Sequence, residues 1–197
     1  MNHLEHDKVE VFASQDSKDG MPYCGDSYFM EIYEDYFICV LADGLGSGQF
    51  AYEAATAVTK TVAKYHEEDV DTLMRYCNEA LLSKRGATVA ILKVNFQKQK
   101  FIYSCVGNIR FYVLTEDGEL TYPLPVSGYL SGKPQLYKTQ YFVYDKNSTF
   151  LLHSDGLKIS NVKSILKNRS ICQIAYELKK RLSNNNDDST FIVGCLL

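Results

Sequence analysis

The tripeptide Asp-Gly-Leu begins at Asp43 and again at Asp155, each time directly after an apolar, strand-like run. An Asp-Gly pair after a strand usually forms a turn, because glycine permits positive φ and the Asp side chain bonds to the local backbone. Asp26 and the neighbouring Asp187 and Asp188 stand at two other junctions between loops and strand-like segments. Carboxylates gathered at one point repel one another unless a cation lies among them. The pattern therefore predicts a metal site.

These acidic residues have the chemistry of ligands for a hard divalent cation, which prefers oxygen donors. A carboxylate at the end of a strand is held rigidly, and Gly44 would let a backbone carbonyl approach the same ion. None of the acidic residues lies in a predicted helix, where an ion pair one turn away would explain it. Two cations about 3.5–4 Å apart would offset roughly four carboxylates and activate a bridging water. We expect that water to attack a phosphorus atom in line.

The elements that would position these residues follow from hydrophobic periodicity and turn signals. The predicted strands are 9–13, 27–33, 36–42, 87–94, 100–106, 109–115, 138–144, 149–153 and 190–196. The predicted helices are 50–66, 70–82, 159–166 and 171–182, with Asp69 as the N-cap of the second. Short connections between consecutive strands predict antiparallel pairing, and runs of strands broken by pairs of helices predict an α+β fold with helices outside antiparallel sheets.

Composition restricts the class of protein. The chain has 197 residues, of which 46% are hydrophobic, and this favours a single globular domain over residues 1–197. A net charge of −3 argues against nucleic-acid binding, which usually requires a basic face. Neither a membrane-spanning apolar run nor the apolar core of a signal peptide is present, so we expect no membrane association. Six scattered cysteines without a Cys-x-x-Cys pair favour reduced thiols and a cytoplasmic localisation.

Single motifs admit other interpretations. Residues 44–48 form a glycine-rich loop between a strand and a helix, as in phosphate-binding loops. Their spacing is Gly-x-Gly-x-Gly, however, and hairpins follow instead of parallel βαβ units. This argues against a dinucleotide site and against a receiver domain phosphorylated on Asp43. We expect Ser154 to orient or cap an acidic residue, His153 to be a satisfied core histidine and Cys24 to be a small, inert side chain.

Six short motifs occur in one particular order along nearly the whole chain. They are Gly25-Asp26, residues 41–48 (LADGLGSG), 86–90 (GATVA), 106–110 (VGNIR), 152–157 (LHSDGL) and 187–190 (DDST). In this order they resemble the PPM/PP2C metal-dependent protein phosphatases. The short length and the Gly-Asp-Ser-Tyr form resemble the bacterial branch of that family that includes SpoIIE. The motifs at 86–88 and 107–108 resemble structural strand and turn motifs that shape the rim of the site.

The resemblance implies a four-layer αββα sandwich of two antiparallel β-sheets flanked by helices, with two divalent cations, Mn²⁺ or Mg²⁺, on one rim. By motif, Asp43 would bridge both ions and the Gly44 carbonyl would bind one of them. Asp26 would lie beside the second ion and would share the catalytic role with Asp43. Asp155 and Asp187 would hold the first ion. In Asp-Asp-Ser-Thr the first Asp matches the ligand position of the family.

The resemblance also implies an activity and partners. It implies a protein serine/threonine phosphatase that hydrolyses phosphoserine or phosphothreonine on regulatory proteins of a bacterial stress-response pathway. Within the SpoIIE-like branch, the chain is most similar to a phosphatase of the general-stress (sigma-B) pathway, so the expected partners are phosphorylated scaffold proteins of the stressosome. No residue is assigned to substrate binding, although the loop 123–134, with Tyr122 and Tyr129, is a candidate surface.

Three departures from the family pattern leave a second hypothesis open. Many members carry a Glu where this chain has Gly25, and eukaryotic members carry a His where it has Leu45. Many also carry a phosphate-binding Arg upstream, but residues 19–23 contain none. We therefore expect weak activity on small phosphate esters. The alternative is a degenerate phosphatase fold that senses a partner without catalysis.

Overall fold

The computed structural model describes residues 1–18, 21–167, 169–182 and 186–197. Two antiparallel sheets lie face to face, and helices cover both outer faces. The predicted four-layer αββα sandwich, an α+β fold, is therefore confirmed. Among the described helices, none has the length and apolar character that crossing a membrane requires.

The elements follow one another in two runs of strands, each followed by a pair of helices, and a single strand comes last. The strands are β1 (Asn2–His6), β2 (Val9–Asp16), β3 (Asp26–Ile32), β4 (Tyr36–Gly44), β5 (Ala87–Asn95), β6 (Lys100–Val106), β7 (Arg110–Leu114), β8 (Leu120–Thr121), β9 (Thr139–Val143), β10 (Ser148–His153) and β11 (Ser189–Leu196). The helices are α1 (Gln49–Lys64), α2 (Val70–Ala80), α3 (Val162–Leu166) and α4 (Ile171–Leu182). The first sheet has the order β1-β2-β11-β10-β7-β8, and the second has the order β3-β4-β5-β6-β9.

Strand β4 is buried on both faces, because it lies between the inter-sheet core and the helices. Residues 37–42 are all fully buried. Phe37 and Leu41 pack between the two sheets, whereas Ile38 and Val40 pack beneath α1 and α2. A strand with two buried faces has no polar alternation, which explains its continuous apolar run. The strand therefore carries the acidic residue that follows it to a fixed place at the end of the core.

One predicted strand pairing is wrong. The short connection between β6 and β7 suggests antiparallel neighbours, but β6 lies in the second sheet and β7 in the first. The rule for short connections assumes that both strands share a sheet. Here Gly107, with φ of +127°, allows the chain to cross between the sheets, and a Cβ at this position would overlap the side chain of Thr88.

Other differences concern the ends and edges of elements. The edge strands β1 and β8 were not predicted, because β1 is polar and mostly exposed and β8 has only two residues. Strand β2 extends to Asp16, into the predicted loop, where it pairs with Ser189 of β11. Helix α3 begins at Val162 instead of residue 159, since Asn161 caps it by accepting the Ser164 N–H at 3.0 Å.

The two glycines of the repeated Asp-Gly-Leu tripeptide are required by close packing. Neither Gly44 nor Gly156 has positive φ, so the interpretation that these glycines supply a left-handed turn is wrong. A Cβ at Gly44 would overlap the backbone carbonyl of Ala51 in α1, and a Cβ at Gly156 would overlap the backbone carbonyl of Asp188. Only a residue without a side chain permits such an approach of another backbone segment.

We expect Gly44→Ala to destabilise the protein by about 2–4 kcal/mol, because the added methyl group forces the start of α1 away from β4. The measurement is the free energy of unfolding in urea. Ser47→Ala is a suitable control, since Ser47 is exposed in the same loop and its loss should cost less than about 0.5 kcal/mol. Equal stability of the two variants would contradict the packing argument.

Candidate metal centre

Asp26 and Asp43 lie directly opposite each other at the open end of the hairpin formed by β3 and β4. Opposite side chains of an antiparallel pair have Cβ atoms about 4.5–5.5 Å apart, and like charges in such a pair are destabilising. Asp26 is only 1% exposed, so water cannot screen its charge. A pair of this kind is costly as two bare carboxylates and becomes favourable when a cation lies beside it.

Three further acidic residues affect the pKa values of the pair. Burial first, and then the charges of Asp26, Asp155, Asp187 and Asp188 in that order, together raise the pKa of Asp43 to about 8. Burial likewise raises the pKa of Asp26 to about 7, with smaller contributions from Asp188 and Asp155. Asp155, Asp187 and Asp188 therefore lie close enough to the Asp26–Asp43 pair for their charges to act on it at one rim.

The carboxylate of Asp26 is held by residues of the other sheet. The Ser154 hydroxyl donates to Asp26 Oδ2 at 2.7 Å and accepts the Thr190 N–H at 2.9 Å. Gln15 Nε2 donates to the backbone carbonyl of Asp26 at 2.7 Å. Ser154 therefore orients an acidic residue, as predicted, and its hydrogen bond opposes the effect of burial on the pKa of Asp26. These bonds also connect the two sheets at the rim.

Asp155 is exposed in the turn after β10 and is positioned by an amide. Asn108 Nδ2 donates to Asp155 Oδ2 at 2.7 Å from the short crossing between β6 and β7. Sequence analysis assigned residues 107–108 only to the shape of the rim, so the contact of Asn108 with an acidic residue was missed. The available signal was a polar amide in a tight connection between two strongly apolar strands.

The neighbours Asp187 and Asp188 have different environments. Asp188 accepts the Lys18 N–H at 2.9 Å with Oδ1 and the Gly25 N–H at 2.8 Å with Oδ2. Asp187 is exposed, and its carboxylate accepts the N–H of Asp188 at 3.0 Å, while its backbone carbonyl accepts the Ser189 hydroxyl at 3.1 Å. Its carboxylate is thus the more available of the two, and it has the larger effect on the pKa of Asp43.

Asp188 also fills the space beside Gly25. A Cβ at position 25 would lie 2.8 Å from Asp188 Oδ2 and 3.3 Å from the Cβ of Ala51. The Asp188 carboxylate therefore occupies the place of a side chain at the position where many PPM/PP2C members carry a Glu. Sequence reasoning missed this relation, since the two residues are 163 positions apart.

Two residues near the rim take no part in the acidic cluster. His153 is buried, which lowers its pKa to about 4, and its Nδ1 donates to the Ser154 carbonyl at 2.8 Å. Its Nε2 lacks a hydrogen-bond partner among the described residues, so this core histidine is only half satisfied. Burial raises the pKa of the Cys24 thiol to about 12, which supports the prediction that it is inert.

The donor set fits a hard divalent cation, because all the converging side chains are carboxylates. Within the described residues, no three His, Cys, Asp or Glu side chains already form a closed cage. The carboxylates thus converge without forming a closed cage. Burial, and to a lesser extent mutual repulsion, raises the pKa values of Asp26 and Asp43, and a nearby cation would offset both effects. In the stretch 19–23, which lacks the phosphate-binding Arg of many family members, residues 19–20 lie outside the described residues.

Comparison with known proteins gives consistent matches. Residues 33–159 match the family model of stage II sporulation protein E (SpoIIE). The chain is 45% identical over 193 residues to the phosphoserine phosphatase RsbX of Bacillus subtilis, covering 98% of this chain and 97% of RsbX. A crystal structure of RsbX in complex with magnesium has a TM-score of 0.96 at 44% identity, over 100% of this chain and 99% of that chain.

A more distant structure shares the fold. It contains the PP2C phosphatase domain and part of the regulatory domain of SpoIIE from Bacillus subtilis. The TM-score is 0.82 at 19% identity, over 96% of this chain and 63% of that chain. At this level of identity the match concerns the arrangement of sheets and helices alone.

We expect the metal-free protein to lose stability as the pH rises from about 4 to 8. The pKa values of Asp26 and Asp43, about 7 and 8, exceed the unfolded value of about 3.9. Over this range the folded state therefore binds more protons than the unfolded state, and the free energy of unfolding falls with pH until both protons have left. Urea unfolding at several pH values measures this slope. Asp43→Asn should flatten it, and an unchanged slope in that variant would contradict the assignment.

Asp187→Asn and Asp188→Asn should separate metal binding from loop anchoring. We expect Asp187→Asn to weaken Mn²⁺ binding by about tenfold or more, with little effect on the metal-free protein. Asp188→Asn should cost about 1–2 kcal/mol of stability, because an amide cannot accept from both the Lys18 and Gly25 N–H groups. Calorimetric Mn²⁺ titration and urea unfolding measure the two effects. A reversed pattern would make Asp188 the ligand.

Proposed function

This chain belongs to the SpoIIE family, and we propose that it is a metal-dependent protein phosphatase that hydrolyses phosphoserine or phosphothreonine on regulatory proteins. The observation that carries the proposal is the pair of opposed carboxylates, the buried Asp26 and the half-buried Asp43, with three more acidic residues acting on it. The 45% identity to a phosphoserine phosphatase supports the same reaction class.

In this proposal five residues would hold two divalent cations, Mn²⁺ or Mg²⁺. Asp43 would contact both ions, and the Gly44 carbonyl would bind one of them. Asp26 would lie beside the second ion, and Asp155 and Asp187 would hold the first. When bound, the cations would offset the carboxylate charge, lower the pKa of a water molecule and stabilise negative charge on a phosphoryl group. Asp43 and Asp26 would be the catalytic residues.

The remaining contributions come from groups that fix these ligands in place. The Gly44 N–H donates to the Gly25 carbonyl at 3.0 Å, which sets the orientation of the peptide that follows Asp43. The Ser154 hydroxyl keeps one oxygen of Asp26 in place. Rigid positioning of this kind removes the need to reorganise the site during the reaction and is a large part of catalysis in such centres.

The proposal extends to partners and location. We take the substrates to be phosphorylated scaffold proteins of the stressosome, in line with the resemblance to phosphatases of the general-stress pathway. We place the protein in the cytoplasm, and its six unpaired cysteines support a reducing compartment. Residues 1–197 are treated as one phosphatase domain.

Phosphate release from a phosphoserine protein, with and without Mn²⁺, tests the proposal. We expect Mn²⁺-dependent release by the wild type and a loss of about a hundredfold or more in Asp43→Asn, since even outer-shell changes cost 10–100-fold. Asp117→Asn, at an exposed acidic residue of a turn, is the matched control and should behave as the wild type. Equal rates in Asp43→Asn and wild type would contradict the proposal.

The same variants separate catalysis from the alternative of a non-catalytic binding module. Calorimetric titration of the wild type with Mn²⁺ gives the second readout. Binding of Mn²⁺ that Asp43→Asn weakens supports the enzyme. No binding at millimolar Mn²⁺, together with no phosphate release, would favour the module.

A further inference from the structure

Arg85 lies against the loop that follows Asp43. It directly precedes Gly86, whose carbonyl accepts the Leu45 N–H at 3.0 Å, so the two segments are joined by a backbone hydrogen bond. A Cβ at Gly46 would lie 2.7 Å from Arg85 Nη1. The guanidinium therefore rests on the bare backbone of Gly46, three residues beyond the proposed bridging ligand.

The guanidinium is held from a second side by an aromatic ring. Arg85 Cζ lies 5.1 Å from the ring centroid of Phe50, at the start of α1. Phe50 is 60% exposed, which is unusual for a phenylalanine in the first turn of a helix that packs on a sheet. Arg85 is exposed and forms no ion pair within the described parts of the chain. A stacked, exposed arginine without an acidic partner is available to pair with an acidic group of another molecule.

A cavity of about 460 Å³ opens beside this pair of side chains. It is lined by Phe50, Glu53, Ser83, Lys84 and Arg85. Glu53 Oε1 already accepts a hydrogen bond from Gln49 Nε2 at 2.8 Å, so two cationic groups face one engaged carboxylate. The cavity is therefore positive, although it adjoins an acidic rim.

The candidate loop 123–134 reaches the same edge. Leu130 pairs with Ala87 through two backbone hydrogen bonds, both of 2.9 Å. A Cβ at Gly86 would lie 3.0 Å from the ring of Tyr129, which is 47% exposed. Tyr122 instead stacks on Tyr112, with ring centroids 4.9 Å apart. Tyr129 therefore places a second exposed aromatic ring against Gly86, the residue that follows Arg85.

We infer that Arg85, supported by Phe50 and Lys84, binds a carboxylate of the protein substrate close to the phosphorylated residue. The inference rests on the proposed phosphatase function and names the substrate class for it: phosphoserine or phosphothreonine segments with acidic neighbours. An arginine fork binds a carboxylate through two parallel N–H donors, and stacking on a ring restricts the fork before the substrate arrives. Arg85 is thus a specificity-determining residue that acts on substrate affinity.

Two phosphoserine peptides that differ only in their flanking residues, Glu in one and Gln in the other, test this inference with the Mn²⁺-loaded protein. We expect the wild type to have the lower KM for the Glu peptide. Arg85→Ala should raise that KM about tenfold, which corresponds to about 1.4 kcal/mol, and leave kcat almost unchanged. The KM and kcat for the Gln peptide and for a small aryl phosphate should also remain almost unchanged. Arg85→Glu should reverse the preference toward a Lys-flanked peptide, which a purely structural role of Arg85 would not do.

Arg75→Ala is the matched control. Arg75 also stacks on a ring, 4.6 Å from the centroid of Tyr76, but it pairs with Glu79 on α2 and does not line the cavity. Its loss should leave the peptide preference unchanged. Equal losses on all substrates in Arg85→Ala, or no reversal in Arg85→Glu, would overturn the inference.

Failure of the inference can be distinguished from failure of the proposed function. If the wild type releases no phosphate from either peptide, the phosphatase proposal fails. Fluorescence anisotropy of the same labelled peptides then measures binding directly. Tighter binding of the Glu peptide by wild type than by Arg85→Glu would still support recognition by Arg85, and equal binding would overturn it.

Discussion

The opposition of Asp26 and Asp43 across one rung of an antiparallel ladder is the constraint on which the rest of the structure depends. The pair cannot be relieved by a shift in register, because a slip of one residue would move every buried side chain of β3 and β4 to the wrong face. The apolar sequence of β4 thus fixes two like charges against each other. The packing of the whole hairpin offsets the free-energy cost of their repulsion. A proton on one of the carboxylates, or a cation placed between them, lowers this cost without unfolding the strands.

The site also depends on how the two sheets are stacked. Asp26 begins a strand of the second sheet, yet its carboxylate accepts from Ser154, which follows β10, and its carbonyl accepts from Gln15 of β2, so both partners come from the side of the first sheet. Hydrogen bonds between buried groups are strong where water is absent, and an unpaired member is expensive. The relative position of the sheets is therefore set by the inter-sheet core and locked at the rim by these polar bonds. The packing of the two sheets therefore determines where the Asp26 carboxylate lies.

The sequence was sufficient to predict most helices and strands and to identify the acidic residues. It was not sufficient to predict contacts between residues that are far apart in the chain. The bounds of β6 and α4 follow from periodicity, because each has a uniform apolar pattern ended by a turn. Periodicity says that a residue is buried, but not in which of two cores, and so it could not show that Gly107 takes the chain from one sheet to the other. The contacts of Asn108 with Asp155 and of Asp188 with Gly25 join residues far apart in sequence, which no window can detect.

The repeated Asp-Gly pair shows how backbone packing and chemistry coincide at this rim. Gly44 is a glycine because the backbone of α1 passes directly over it, and Gly156 is one because the backbone at Asp188 does. At each glycine two backbone segments are in direct contact. The Asp that precedes the glycine therefore cannot shift unless the second segment shifts with it. Rigid attachment is what a cluster of repelling carboxylates requires, since flexible ones would turn toward solvent. The two glycines thus restrict the backbone that carries each Asp, and this restriction keeps the repelling carboxylates from moving apart.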